Sequence, residues 1–161
     1  MLTLRPAGAD DAEDVGRIYI DSWNDGFGHL LGYRDHDPER TERWRHDLVG
    51  TDLMDDAVRW TVAEVDGEIA GFVGVGASRD PIDERIGELH AIAVNPGHWR
   101  RGVGSALMSR ATEQLAADWD RAILWTPANY DRGHGFYRSM GWQPVGWSRA
   151  LGSEVAFARM V

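Results

Sequence analysis

Residues 86–119 read IGELHAIAVNPGHWRRGVGSALMSRATEQLAADW, and the period of their apolar residues changes halfway along. The first part, IGELHAIAVNP (86–96), alternates and stops at a proline, which predicts a strand. From about Arg101 the apolar positions Val103, Leu107, Ala111 and Leu115 fall four apart and make one face of a helix. RAILWTP (121–127) is apolar and too short for a helix, so it reads as a buried strand. A strand–helix–strand unit between Gly87 and Thr126 puts at least one parallel pair into the sheet.

Upstream, VRWTVAEV (58–65), Asp66–Gly67 and EIAGFVGVGAS (68–78) form a hairpin signal, with the Asp-Gly turn as its strongest element. LTLR (2–5) opens the chain as a short strand ended by Pro6. A helix over 9–24 begins with acidic residues and carries Val15, Ile18 and Tyr19 at helical spacing. Gly26, Gly28 and Gly32 then predict a flexible connection, and a second helix runs from about Pro38 to Leu48. Downstream, RGHGFYRSMGW (132–142) is a short helix ending at Gly141, and two last strands meet at Leu151–Gly152. No linker, repeat or low-complexity stretch divides the chain. The expectation is one α/β domain over 1–161, a mixed and mostly antiparallel sheet of about seven strands flanked by about four helices.

Composition narrows the chemistry. The chain of 161 residues has 26 acidic and 17 basic side chains, a formal charge of −9, which argues against nucleic acid or an anionic membrane as partner. All 17 basic residues are arginine, so a Walker-type phosphate lysine, a Schiff-base lysine and pyridoxal chemistry are excluded. The absence of cysteine removes thiolate nucleophiles, disulfides and zinc–thiolate sites. Asp35-His36-Asp37 and His46 lack recurring ligand spacing, so no metal is expected. The opening residues have no apolar leader pattern, and no stretch reaches eighteen apolar residues, so a cytoplasmic location is expected.

The join of strand and helix, Arg100-Arg101-Gly102-Val103-Gly104-Ser105, is where ligand chemistry concentrates. Free amides and the positive end of the helix dipole bind anions there, glycines admit close backbone approach, and arginines add charge. A diphosphate fits. The dinucleotide fingerprint would need a glycine at 107, where Leu107 stands.

GELHAIAVNPGHWRRGVGSALM resembles the acetyl-CoA-binding motif of the GNAT superfamily of N-acetyltransferases. A second element, Phe136-Tyr137-Arg138-Ser139-Met140-Gly141-Trp142, is similar to that family's Phe-Tyr-x-x-x-Gly-aromatic helix, and the element order also agrees. Trp99 departs from the Gln or Arg usual at its position. The resemblance implies acetyl transfer from acetyl-CoA to the amine of a small molecule or peptide, directly in a ternary complex. It assigns Ile92, Ala93 and Val94 to the pantetheine arm, and Arg100, Arg101, Gly102, Val103, Gly104 and Ser105 to the diphosphate. Asn129, one place before the family's Asn position, is the remaining cofactor contact.

Amine acetylation needs a base for the amine and stabilisation of the departing thiolate. Glu88 matches the family's strand glutamate and is the expected base, with His90 as the alternative on the same strand. Strict alternation would put Glu88 on the same face as Ile92. Tyr137 matches the tyrosine facing the cofactor sulfur, and Trp23 and Phe27 are the expected acceptor-pocket aromatics. The acidic balance mildly favours a cationic acceptor. A non-catalytic acyl-CoA-binding module is the competing reading, and a homodimer stays open.

Overall fold

The computed structural model describes residues 1–48, 58–79 and 85–161. Its sheet consists of two antiparallel blocks that meet at a single parallel pair. The first block holds β1 (Leu2–Pro6), β2 (Arg59–Val65), β3 (Glu68–Ala77) and β4 (Ile86–Val94), each beside its neighbour in sequence. The second holds β5 (Arg121–Pro127), β6 (Gln143–Arg149) and β7 (Glu154–Met160), with β7 in the middle. These seven strands make the expected mixed sheet. The β2–β3 turn has positive φ at both Asp66 (53°) and Gly67 (86°), as a two-residue hairpin loop requires.

Helices α1 (Ala12–Leu31) and α2 (Pro38–Leu48) cover one face, and α3 (Val103–Asp118) covers the other. The four-residue spacing read from the sequence holds: Val103, Leu107, Ala111 and Leu115 are buried against Val73, Val75, Leu89, Leu124 and Phe157. On the far face Ala12, Val15 and Ile18 of α1 pack on Val62 and Phe72. The short α4 (Asp131–Ser139) brings Phe136 and Tyr137 against the α3-side core. No helix among the described residues is long and apolar enough to cross a membrane.

Helix α1 runs further than its sequence suggests. It passes through Gly26 and Gly28 and ends only at Gly32, whose φ of 92° is open to glycine. A helical glycine costs about 1 kcal/mol against alanine, but here packing compensates. A side chain at Gly26 would touch the Tyr130 phenol, with its Cβ 3.4 Å from the hydroxyl. The chain after α1 is pinned by Asn24, whose amide donates to the Arg34 carbonyl (2.8 Å) and accepts from the Arg34 N–H (2.7 Å).

One register shift decides how β4 presents its side chains. Val75 pairs with Leu89 but Gly74 pairs with Ala91, so His90 is the extra residue of a β-bulge. Leu89, Ile92 and Val94 therefore face α3, while Glu88, Ala91 and Ala93 face α1 and α2. Glu88 and Ile92 lie on opposite faces, contrary to the alternating reading, because the bulge absorbs one residue between them.

The entry to α1 depends on a partly buried charge cluster. Arg5 places two N–H groups on the Asp11 carboxylate (2.8 Å each) and a third on Glu64 (2.7 Å), and the Gly8 amide also donates to Asp11. Hydrogen bonding from Arg5 holds the Asp11 pKa below its ordinary 3.8, against the opposing effect of burial. A lowered folded pKa means stability that is present above 3.8 and lost as pH falls through the folded value. Asp11→Asn should cost about 1–2 kcal/mol at pH 7, allowing for solvent around Arg5. Urea unfolding should show the gap between variant and wild type closing as pH drops below 3.8.

Candidate active site

The two sheet blocks separate immediately after their junction. β4 bonds β5 only through Ile86–Glu88 against Arg121–Ile123; beyond that, β4 pairs only with β3 and β5 only with β7. A cavity of about 370 Å³ lies at this opening. Its walls include Ile92, Ala93 and Val94 of β4, Ser22 and Phe27 of α1, and Tyr130, Phe136 and Tyr137 around α4. An extended apolar chain with amide groups suits such a slot, because an unpaired strand edge offers backbone donors and acceptors.

The mouth of the cavity is the loop between β4 and α3. Arg100 (φ 61°) and Gly102 (φ 81°) both adopt left-handed backbone, which curls successive amides into an anion-binding concavity. The first α3 hydrogen bond runs from the Ala106 N–H to the Gly102 carbonyl (3.0 Å). The amides of Val103, Gly104 and Ser105 thus lack a partner within the helix. Trp99 fixes the loop to the strand, its indole N–H donating to the Val94 carbonyl at 2.8 Å. The Arg132 guanidinium stacks over that indole, 4.1 Å from the ring centre. The tryptophan that departs from the family pattern therefore supplies an anchor and, through Arg132, a second cation at the mouth.

Tyr137 closes the inner end. Its ring packs beside Phe136 and Phe157, and burial pushes its phenol up to about 12. The nearby Tyr130 phenol adds to the shift, and the Thr126 hydroxyl opposes it. Tyr137 is therefore a neutral hydrogen-bond donor throughout the physiological range. Thr126 is itself buried, which keeps its hydroxyl beside the phenol.

A larger cavity, about 910 Å³, opens on the α2 side of the sheet and is lined by His90 and Ala91 of β4 with Tyr19, Trp44, Trp60 and Arg79. The two cavities are close neighbours: β4 gives consecutive residues to both, and α1 gives Tyr19 to one and Ser22 to the other. The His90 Nε2 faces the Ala77 carbonyl at 3.0 Å. A carbonyl only accepts, so Nε2 carries the proton and Nδ1 is left as the basic atom. Burial lowers the His90 pKa, Arg79 lowers it further, and Glu88 works in the opposite direction. Glu88 itself is 2% exposed, accepting from the Arg79 amide (2.9 Å) with the Arg79 guanidinium 3.6 Å away.

Of the residues singled out in the sequence, the smaller cavity gathers Phe27, Ile92, Ala93, Val94, Arg100, Gly102, Gly104, Ser105 and Tyr137. Trp23, Glu88, Arg101, Val103 and Asn129 are not among its lining residues. Trp23 instead donates to the Gly32 carbonyl (3.1 Å) under the Arg34 guanidinium, bracing the end of α1. Sequence reasoning missed Ser22, Tyr130 and Arg132 in the smaller cavity, and Arg40 and Arg43 in the larger, beside Trp44. The last three share one face of α2 at spacings of three and four, a signal that was present but reads equally as a solvated helix face.

The chain is similar to known acetyltransferases in sequence and in fold. The acetyltransferase (GNAT) family pattern matches residues 13–142. A protein of Archaeoglobus fulgidus described as an uncharacterized N-acetyltransferase is 33% identical over 142 residues, covering 86% of this chain and 90% of the relative. Among solved structures, the PaiA N-acetyltransferase of Thermoplasma acidophilum in complex with coenzyme A superposes with a TM-score of 0.76 at 15% identity, covering 100% of this chain and 99% of that one. A GNAT-family acetyltransferase of Streptococcus pneumoniae gives 0.73 at 24% identity, with coverage of 100% and 99%.

The two loop glycines should respond oppositely to substitution. Gly102 sits at φ 81°, so Gly102→Val strains the backbone and should cost at least about 1–2 kcal/mol. At Gly104 an added Cβ meets Phe136 at an ordinary 3.5 Å, so Gly104→Ala should be neutral or stabilising by up to about 1 kcal/mol. Thermal denaturation of both variants reads the difference in sign.

Proposed function

From the premise that the chain belongs to the acetyltransferase (GNAT) family and is an acyltransferase, we propose that it moves an acetyl group from acetyl-CoA to an amine within a ternary complex. The observation that carries this reading is the gap between β4 and β5, with free helix amides at one end and the Tyr137 phenol at the other. The diphosphate of CoA is taken by the amides of 100–105 with Arg100 and Arg132 beside them, and pantetheine lies along Ile92–Val94. Backbone N–H groups on that strand edge polarise the thioester carbonyl. The amine enters through the larger cavity on the α2 side.

On the amine side, the Glu88–His90 pair removes the proton. His90 forms part of the cavity wall and offers Nδ1, directly or through water. Glu88, enclosed behind it, stabilises the imidazolium that forms. On the sulfur side, magnitudes decide the role of Tyr137. Full proton transfer from a phenol at about 12 to an alkyl thiolate, the conjugate base of a stronger acid, runs uphill. Tyr137 therefore donates a hydrogen bond to the sulfur as its charge develops, and the proton taken from the amine leaves by way of the base.

Tyr137→Phe removes only the hydroxyl, so kcat should fall by roughly a hundred- to a thousandfold while CoA still binds. Calorimetry should show CoA affinity reduced in Gly102→Val, where the amide cradle is disturbed. The kcat/KM profile should have an acidic limb below pH 6.5, because the base there has a lowered pKa. His90→Ala should abolish that limb. Glu88→Gln should move it to lower pH, since Glu88 raises the His90 pKa. A limb that vanishes in Glu88→Gln and survives in His90→Ala would make the carboxylate itself the base.

A further inference from the structure

The arginines of this chain are almost all engaged. In a protein with 26 acidic side chains, seven of the 17 arginines pair with a carboxylate among the described residues: Arg5, Arg17, Arg45, Arg59, Arg79, Arg110 and Arg149. Arg34, Arg132 and Arg138 lie over aromatic rings, Arg159 donates to a carbonyl, and Arg85 and Arg121 have partners as well. Among the described residues four remain without a side-chain partner: Arg40, Arg43, Arg100 and Arg101. Arg100 and Arg101 stand at the anion-binding loop. Arg40 and Arg43 stand together in the other cavity.

They are one helical turn apart on α2 and share its face with Trp44. Arg79 joins them from the end of β3, half-neutralised by Glu88, and Asp47 is the one carboxylate among the described lining residues. Two guanidiniums with no ion-pair partner among the described residues, facing one carboxylate in the lining, disfavour a cationic guest and can receive an anion through paired N–H donors. Between them and β4 the wall is aromatic, with Trp44 packed edge-on to Trp60 at 5.1 Å and Tyr19 at 5.8 Å.

We infer that the acceptor, on the acyl-transfer reading above, is a small anionic amine: an amino acid whose carboxylate binds Arg40 and Arg43 and whose side chain lies on the Trp44–Trp60 wall. This reverses the preference for a cationic acceptor suggested by net charge. The same guanidiniums assist the chemistry, because positive charge beside an ammonium lowers its pKa and makes the free amine easier to form.

Matched pairs that differ only in the carboxylate test this directly. Thiol release from acetyl-CoA is followed with phenylalanine against 2-phenylethylamine and tryptophan against tryptamine, with 2-aminoethylphosphonate as a different anion and spermidine as the polycation. The carboxylate member of each pair should have the higher kcat/KM by at least about tenfold, the worth of one charge-assisted hydrogen bond. Arg40→Gln and Arg43→Gln should each reduce that ratio by roughly tenfold. Calorimetric binding of acetyl-CoA to the variants verifies their fold. A wild-type ratio of one or less, a preference for spermidine, or a ratio unaltered in both variants would overturn the inference. A higher rate with the phosphonate than with either amino acid would overturn the carboxylate assignment. Equilibrium dialysis with N-acetylphenylalanine gives a readout independent of turnover. Binding by the wild type that weakens about tenfold in Arg40→Gln supports the anion site even if acetyl transfer fails, and equal binding by both overturns it.

Discussion

The shortness of the β4–β5 contact is the constraint on which the rest of the molecule depends. Three residues on each strand hold two antiparallel blocks together, after which each strand keeps only its other neighbour. A sheet edge opened inside a protein would ordinarily cost the desolvation of its amides and carbonyls. Here the opening is kept accessible and partly capped, the Val94 carbonyl by the Trp99 indole. The blocks stay in register because α3 spans the junction from behind, with Leu107 and Leu115 buried in the same cluster as Leu89 of one block and Phe157 of the other. The slot thus exists because packing on the α3 face substitutes for the strand pairing that is given up.

The bulge at His90 does comparable work within one strand. By absorbing a residue it turns Ile92 and Val94 toward α3 while Glu88, Ala91 and Ala93 look toward α1 and α2. Glu88 therefore lies on the face of the larger cavity, which His90 lines, while the strand edge beyond them borders the smaller one. Gly74 helps the arrangement on the neighbouring strand, since a Cβ there would collide with the Trp60 ring at 2.4 Å. The ring that forms the floor of the α2-side cavity can occupy its place only because β3 carries no side chain beneath it.

How far the sequence could be read follows from which forces are local. The Asp66–Gly67 hairpin, the apolar face of α3 and the glycine loop were legible because each is set by residues adjacent along the chain. The extent of α1 was not, because Gly26 is accommodated by Tyr130, more than a hundred residues away in sequence. The bulge was equally hidden: ELHAIAV (88–94) is compatible with plain alternation, and the slip appears only when β3 is laid beside it. Tyr137 and the loop amides meet in one cavity as their motifs implied, whereas Trp23 was read by residue type and serves to brace the end of its own helix.

Net charge is a coarse guide to a pocket for a related reason. A formal charge of −9 describes the whole surface, and at physiological salt, charges farther apart than about 8 Å are largely screened. Among its described lining residues the α2-side cavity has the guanidiniums of Arg40, Arg43 and Arg79 and the single carboxylate of Asp47, beside the rings of His46, His90, Trp44 and Trp60. Pairs such as Arg5–Asp11 and Arg149–Glu154 largely cancel their own fields. Arg40 and Arg43 of this cavity have no side-chain partner among the described residues, and Arg100 and Arg101 of the glycine loop share that property. In an acid-rich chain, an arginine left without a carboxylate is more informative than the total charge.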